Sequence, residues 1–369
     1  MKYIKQFDSV RGIAVLFIIV YHWVPAEIFK AIPIGFNVVD VFFVLSGFLI
    51  TRILLESKNK AYEAGIKTPS VFANFFVRRA LRIFPIYYLL IFLVLLIDHI
   101  DKTKLAYLLT YTFNFYSFNT QQWDDNFAHL WSLSVEEQFY LFWPWIILLV
   151  NKKYIPHVIL ICTAVGIITE YIFRNNVYGQ VIPFTCLDSL GIGAFLSWIF
   201  VTKPFLFQKA YRVSAFAAAI FVTWFCLDLL FGQLMFLPTR LTLSAISAWL
   251  ISYIVYKGLS NKKNNLGFML NNKILINVGK MSYGIYVYHF ALPNYSWHVF
   301  LKINSYFPAI NNAATLIIEN FILLMFVSWL SYNYFELPIT KLKKYFALAK
   351  KDAPVNKTTN TIELQPPVQ

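Results

Sequence analysis

Ten long apolar stretches constrain the fold of this chain more than any other feature. About 20 mostly apolar residues in a row are enough to cross the hydrocarbon core of a membrane. Only 14% of the residues are charged, against about 25% in a typical soluble domain. The sequence therefore predicts an all-α, polytopic membrane protein with about ten transmembrane helices, near residues 10–27, 36–55, 83–98, 136–150, 155–173, 182–201, 213–231, 240–257, 274–293 and 313–335.

The distribution of positive charge decides between ten and eleven spans. Residues 105–118 form a weaker apolar stretch, and counting it as a span would invert every later loop. With ten spans and an internal amino terminus, 26 of the 32 Lys and Arg residues lie on the cytoplasmic side, as the positive-inside rule requires. We therefore expect both termini to be cytoplasmic, with residues 57–74 inside and 119–130 outside. Residues 105–118 are expected to form a short interfacial or re-entrant helix.

The same asymmetry accounts for the net charge of +14 without a nucleic-acid partner. Residues 1–346 form one predicted transmembrane domain in contact with membrane lipid. The polar, proline-containing segment 347–369 is expected to be a disordered cytoplasmic tail. The three cysteines lie in apolar stretches without the spacing of metal ligands, so we expect no metal.

Ionisable residues inside apolar stretches are costly in a bilayer, so each is a candidate functional residue. Arg11 and His22 are eleven residues apart, about three helical turns, and therefore share one helix face. Asp40 is expected at the depth of His22, where a carboxylate could fix the tautomer of the imidazole. The alternative is a structural role for each residue. Arg11 would contact lipid phosphates, His22 would bond a backbone carbonyl, and Asp40 would bond hydroxyls of neighbouring helices. A signal peptide cleaved after Val24-Pro25-Ala26 is a further alternative, although Arg11 and His22 would be unusual in a discarded segment.

Two basic residues, Arg79 and Arg82, stand at the cytoplasmic end of the third stretch. At this spacing they share a helix face. Paired guanidinium groups suit the phosphates of a nucleotide-like cofactor. Positive residues beside a span are also ordinary topology signals, so both interpretations stay open.

Further candidates lie towards the outer side. Ser134 and Glu137 have the spacing of a capping box, which would give Glu137 a structural role and leaves Glu136 unexplained. Carboxylates beside Trp131 would suit a surface that contacts sugars. Asp188 lies in the sixth stretch. His289 lies in the ninth stretch near the depth of His22, where neighbouring tyrosines could satisfy it.

In order along the chain, these segments resemble the acyltransferase-3 family of membrane-bound O-acyltransferases. The resemblance is most specific between Trp131 and Tyr140 (WSLSVEEQFY). One departure is Cys186, where many members have a basic residue. The other matching blocks are Arg11 with His22, Asp40 to Ile50 (DVFFVLSGFLI), Arg79 to Pro85 (RALRIFP), Leu187-Asp188, Ser282 to His289 (SYGIYVYH) and Glu336-Leu337-Pro338.

The resemblance implies transfer of an acyl group, most commonly acetyl, from cytoplasmic acyl-CoA to a hydroxyl of an extracytoplasmic sugar, polysaccharide or glycolipid. The location it implies is the bacterial plasma membrane. Of the domains found in this family, we expect this sequence to contain the membrane domain alone, without the extracytoplasmic esterase-like domain that some members carry. A transporter or a non-catalytic membrane protein on the same fold is the alternative. A transporter would leave the paired arginines unexplained, and the intact Arg11, His22, Arg79 and Arg82 weigh against a non-catalytic protein.

The resemblance also assigns roles to the candidate residues. His22 would act as a general base or as a nucleophile, with Asp40 as its orienting partner and Arg11 beside the route of the donor. Acyl-CoA would be bound by Arg79 and Arg82. Binding of the acceptor would fall to Glu136, Glu137, Asp188 and His289.

Overall fold

The computed structural model describes residues 3–24, 38–231, 239–260, 266–307 and 311–346. Regular structure within these ranges is entirely helical, which confirms the predicted all-α class. The predicted tail at 347–369 and most of the alternative cleavage site, Pro25 and Ala26, lie outside the described residues.

The helices are numbered here in chain order. They are α1 (Gln6–Trp23), α2 (Val39–Glu63), α3 (Thr68–Ile97), α4 (Lys102–Leu109), α5 (Phe113–Thr120), α6 (Leu130–Leu149), α7 (Ile155–Ile172), α8 (Leu187–Thr202), α9 (Phe207–Phe231), α10 (Thr239–Ser260), α11 (Gly267–Leu270), α12 (Lys273–Tyr288), α13 (Ala291–Asn304), α14 (Ala313–Ser331) and α15 (Leu337–Lys341). A π-helical turn, Tyr332–Glu336, joins α14 to α15.

The described helices support a polytopic membrane protein. Among them, six segments are long and apolar enough to cross a membrane: Thr68–Ile97, Ile155–Ile172, Pro183–Thr202, Pro204–Asp228, Arg240–Gly258 and Ala313–Phe346. The other four predicted spans coincide with α1, α2, α6 and α12. These four helices, or the turn after α12, carry most of the candidate site residues. Helix α12 has 16 residues and is the shortest of the four. The number of spans and the sides of the termini stay predictions.

Two local expectations change with the structure. The stretch at 105–118 forms α4 and α5, which have eight residues each and are too short to span. The ninth apolar stretch ends as a helix at Tyr288, turns at His289, and is followed by α13, which the apolar pattern did not separate. Pro293 favours this break, because in a continuous helix it would lose the hydrogen bond to the His289 carbonyl and crowd that carbonyl. Pro85 in α3 and Pro144 in α6 lie inside unbroken helices, so a proline alone does not end α12.

Small residues set the closest helix contacts. A Cβ atom at Gly47 would overlap the carbonyl oxygen of Leu190 in α8. A Cβ atom at Gly279 in α12 would overlap the carbonyl oxygen of Asp8 in α1. Small residues let helix backbones approach closely in membranes. The contact at Gly279 holds α1 and α12 side by side, so that the end of α1 lies against the end of α12.

Candidate active site

A pair of histidines lies where α1 and α12 end. The Nδ1 atom of His22 is 3.0 Å from Nε2 of His289, and the two rings stack with centroids 5.1 Å apart. His289 is fully buried, whereas His22 is exposed to a cavity. His22 is therefore the accessible member of the pair, and His289 stands behind it.

The backbone fixes the tautomers of both rings. His289 Nδ1 lies 2.6 Å from the carbonyl oxygen of Tyr286, which can only accept a hydrogen bond, so Nδ1 carries the proton. In a neutral His289, Nε2 is then an acceptor, and His22 must donate to it from Nδ1–H. The remaining nitrogen of His22, Nε2, keeps its lone pair, as a base or a nucleophile requires.

A third histidine, His129, completes the cluster. Its Nε2 atom lies 3.0 Å from the carbonyl oxygen of Val287, and its ring centroid is 4.8 Å from that of His289. The Nδ1 lone pair of His129 is buried and has no hydrogen-bond partner. Sequence analysis assigned no role to this residue. Its position just before the most specific block of the resemblance was the signal that could have found it.

The three histidines line a wide cavity of about 990 Å³. The rest of its lining comes mainly from the segment before α6 and from α13, the helix that the apolar pattern missed. These parts supply aromatic, amide and carboxylate side chains: Trp123, Asp124, Asp125, Asn126, Asn294, Tyr295, Trp297 and His298, with Asp98 from the end of α3.

A second, narrow cavity of about 90 Å³ holds the arginines. Arg11, Arg79 and Arg82 all line it, so the two residues predicted to share a face of α3 do face one space. Val39 and Tyr286 line both cavities. The arginine-lined cavity and the histidine-lined cavity therefore adjoin at this pair of residues.

Glu136 and Glu137 lie on the arginine side of that boundary. Both line the narrow cavity and neither lines the wide one. The Oε1 atom of Glu136 accepts a hydrogen bond of 2.6 Å from Ser46, whose hydroxyl is 3.0 Å from that of Tyr140. The Oε1 atom of Glu137 is buried without a hydrogen-bond partner. Their expected contact with the acceptor stays a prediction, and the structure places them in the same cavity as Arg11, Arg79 and Arg82.

The capping box expected at Ser134 is wrong. Helix α6 begins at Leu130, and Ser134 lies inside it, where its hydroxyl donates a 3.1 Å hydrogen bond to the Leu130 carbonyl. Serine hydroxyls in helix interiors commonly bond back to the preceding turn in this way. The earlier start carries the following glutamates into the second turn of α6.

The expected pairing of Asp40 with His22 is also wrong. Asp40 Oδ1 accepts a 2.8 Å hydrogen bond from Nη2 of Arg240 and a 3.0 Å bond from Ser189, while Arg240 Nε lies 3.2 Å from both carboxylate oxygens. A charge-assisted bond from a guanidinium group is roughly twice as strong as a neutral one, so the carboxylate pairs with Arg240. Glu170 lies 3.9 Å from the same Nε atom.

Asp188 belongs to this buried ion cluster. It is fully buried, accepts a 3.3 Å hydrogen bond from Ser189, and lines neither the narrow nor the wide cavity. The structure thus brings His22 and His289 together and groups Arg11 with Arg79 and Arg82. It separates Asp40 and Asp188 from both groups.

Comparisons with known proteins identify the family of this chain. A family profile described as an acyltransferase domain, acyltransferase-3, matches residues 4–333. The O-acetyltransferase OatA of Staphylococcus aureus strain NCTC 8325 is 26% identical over 99% of this chain and 62% of its own length. A "putative O-acetyltransferase" of S. aureus strain COL is 28% identical over 92% of this chain and 58% of its own length. The chain therefore spans about three fifths of the length of these curated relatives. No solved structure matches it.

Proposed function

Because the chain belongs to the acyltransferase-3 family, we propose that it transfers an acyl group, with acetyl the first candidate, from cytoplasmic acyl-CoA to an extracytoplasmic hydroxyl across the bacterial plasma membrane. The acceptor class is a sugar, a polysaccharide or a glycolipid. One observation carries the proposal: His22, with a lone pair on Nε2, lines a wide cavity that adjoins an arginine-lined cavity at Val39 and Tyr286.

Acyl-CoA enters this scheme from the arginine side. Arg82 is exposed and Arg79 is half-buried, and both are placed to bind phosphates through charge-assisted hydrogen bonds. The guanidinium of Arg79 is already oriented by the ring of Tyr140, 5.5 Å away. The acyl-pantetheine arm would run through the narrow cavity, with its linear β-alanine–cysteamine end passing Val39 and Tyr286 to bring the thioester to His22.

His22 then performs the transfer from Nε2. As a general base, it takes the proton of the acceptor hydroxyl while the hydroxyl oxygen attacks the thioester carbonyl. The carbon–sulfur bond breaks, and the CoA thiolate takes the proton back from Nε2. As a nucleophile, Nε2 would attack the carbonyl itself and expel CoA as its thiolate. The acceptor oxygen would then attack the acyl-imidazole, the acyl carbon–nitrogen bond would break to restore the Nε2 lone pair, and the hydroxyl proton would pass to the thiolate. Both routes use the same lone pair, which His289 holds available.

The test is acyl transfer by purified protein in proteoliposomes supplied with labelled acetyl-CoA. We expect His22→Ala to bind acetyl-CoA as the wild type does and to lose at least about a hundredfold in transfer rate. His157→Ala is the matched control, because His157 is exposed and lines neither cavity. Label retained on His22 without an acceptor would select the nucleophilic route. Near wild-type turnover by His22→Ala would overturn the proposal.

A further inference from the structure

The wide cavity has a carboxylate-bearing lining. Asp98, Asp124 and Asp125 line it, and neither lysine nor arginine does among the residues that the structure describes. Lys104 lies nearby, and its Nζ atom pairs with Asp124 Oδ2 at 2.6 Å. Asp98 and Asp125, both exposed, therefore give this part of the cavity its negative sign.

The same part of the cavity presents aromatic faces. Trp123 and Trp297 line it, and the Trp123 ring lies 4.9 Å from that of Tyr178. The flat face of an indole offers a large apolar area at little conformational cost, which matches the C–H face of a pyranose ring. Indoles beside carboxylates therefore form a surface that can both stack a sugar ring and accept hydrogen bonds from its hydroxyls.

The rim that carries Asp125 is held in place. The Asn294 side-chain amide donates to the Asp125 carbonyl oxygen at 2.5 Å and to Asn126 Oδ1 at 3.0 Å. Asn126 in turn donates to the Tyr295 hydroxyl at 3.2 Å. These bonds tie α13 to the segment before α6, so the acidic and aromatic groups form a prearranged surface.

The buried end of the cavity supplies an independent sign of a ligand. The Nδ1 lone pair of His129 has no hydrogen-bond partner, although the residue is only 3% exposed. A buried acceptor left unpaired destabilises the protein. A ligand hydroxyl in this cavity would satisfy it.

We propose that the wide cavity is the acceptor site and that it selects uncharged or amino-bearing saccharides over anionic ones. In this site Trp123 and Trp297 stack the sugar, the His129 Nδ1 atom accepts a hydrogen bond from one of its hydroxyls, and Asp98 with Asp125 repels carboxylate or phosphate groups. Rejection of a wrong partner by like charge is a common source of specificity. This inference rests on the proposed function, since it presumes that His22 acts on a hydroxyl in this cavity.

The test uses three acceptors on one pyranose ring that differ in charge: a methyl glucoside, a methyl glucosaminide, which carries an ammonium group in place of the 2-hydroxyl, and a methyl glucuronide, which carries a carboxylate in place of the 6-hydroxymethyl group. Wild-type protein in proteoliposomes with labelled acetyl-CoA should acylate the first two at least about tenfold faster than the glucuronide at low salt. The double variant Asp98→Asn/Asp125→Asn should narrow this ratio severalfold. About 0.5 M salt should narrow the wild-type ratio too, because it screens exposed charges.

The control is Asp101→Asn. Asp101 caps α4 by accepting from the Lys104 backbone N–H, lies outside the cavity lining, and asparagine caps a helix equally well. This variant removes a nearby charge and should leave the ratio unchanged. Trp297→Ala should raise KM for all three glycosides alike.

The outcomes separate the two proposals. Equal acylation of all three glycosides, or a ratio that Asp98→Asn/Asp125→Asn leaves unchanged, overturns the charge selection. If acetyl-CoA is consumed in a His22-dependent reaction and no glycoside is acylated, the acceptor site is wrong while the donor side stands. If no His22-dependent consumption of acetyl-CoA occurs, the proposed function itself fails.

Discussion

Replacement of His289 tests most directly whether its hydrogen bond to His22 supports the reaction. Its Nε2 atom accepts the hydrogen bond that fixes His22 in the tautomer with a free Nε2. His289→Leu keeps a side chain of similar bulk and removes that acceptor. His289→Gln keeps a side-chain oxygen that can accept the same hydrogen bond. The pair of variants therefore separates loss of volume from loss of the acceptor.

The magnitude follows from the state of His22 during the reaction. While His22 carries the extra proton, its Nδ1–H bond to His289 is charge-assisted, and such a bond contributes about 1.5–3 kcal/mol. Losing it from the transition state lowers the rate by about ten- to a hundredfold. The loss should be smaller than for His22→Ala, which removes the reacting nitrogen itself.

The assay is the steady-state rate of acetyl transfer in proteoliposomes, with binding of acetyl-CoA measured separately. We expect His289→Leu to lower kcat by that factor, to bind acetyl-CoA normally, and to be largely rescued in His289→Gln. Wild-type kcat for His289→Leu would show that the hydrogen bond from His22 to His289 does not support the reaction. Equal loss in the Leu and Gln variants of a normally inserted protein would show that His289 acts through packing alone.

Two further predictions concern the cationic groups. Arg79→Ala or Arg82→Ala should weaken acetyl-CoA binding about ten- to a hundredfold, because a charge-assisted phosphate contact contributes about 1.5–3 kcal/mol. Arg78→Ala is the control and should leave binding unchanged, because Arg78 is exposed and lies outside the cavity lining. Equal affinities of the three variants in titration calorimetry would contradict the proposed donor site. Arg240→Met should destabilise the folded protein by about 3–5 kcal/mol, since it leaves a buried carboxylate unpaired, and adding Asp40→Asn should recover most of the loss in the midpoint of unfolding in detergent. If the stability losses of the two single variants simply added in the double variant, Arg240 and Asp40 would not stabilise each other.

Much of the architecture could be predicted because it depends on local properties of the chain. A bilayer requires long apolar helices whatever their neighbours are, so the ten apolar stretches coincide with helices. The shared helix face of Arg79 and Arg82 follows from helical geometry alone. The ordered motifs were enough to identify the family, which the match over residues 4–333 confirms.

Side-chain partners on different helices could not be predicted in this way, because they depend on which helices pack together. Asp40 and His22 were expected at one depth, but depth does not select a neighbour. The tight contact at Gly279 brings α1 against α12 and gives His22 its partner His289. The packing of α2 against α8 and α10 delivers Asp40 to Arg240.

The acceptor side shows the same limit. One apolar stretch runs through the turn at His289, so hydropathy did not separate α13 from α12. That turn places α13 beside the segment before α6 and builds the acidic, aromatic lining of the wide cavity. The sequence by itself determined which residues have the chemistry for catalysis or binding, because composition and spacing are properties of the chain alone. Only the tertiary structure decided which of them face each other, because close packing between helices is a property of pairs of surfaces.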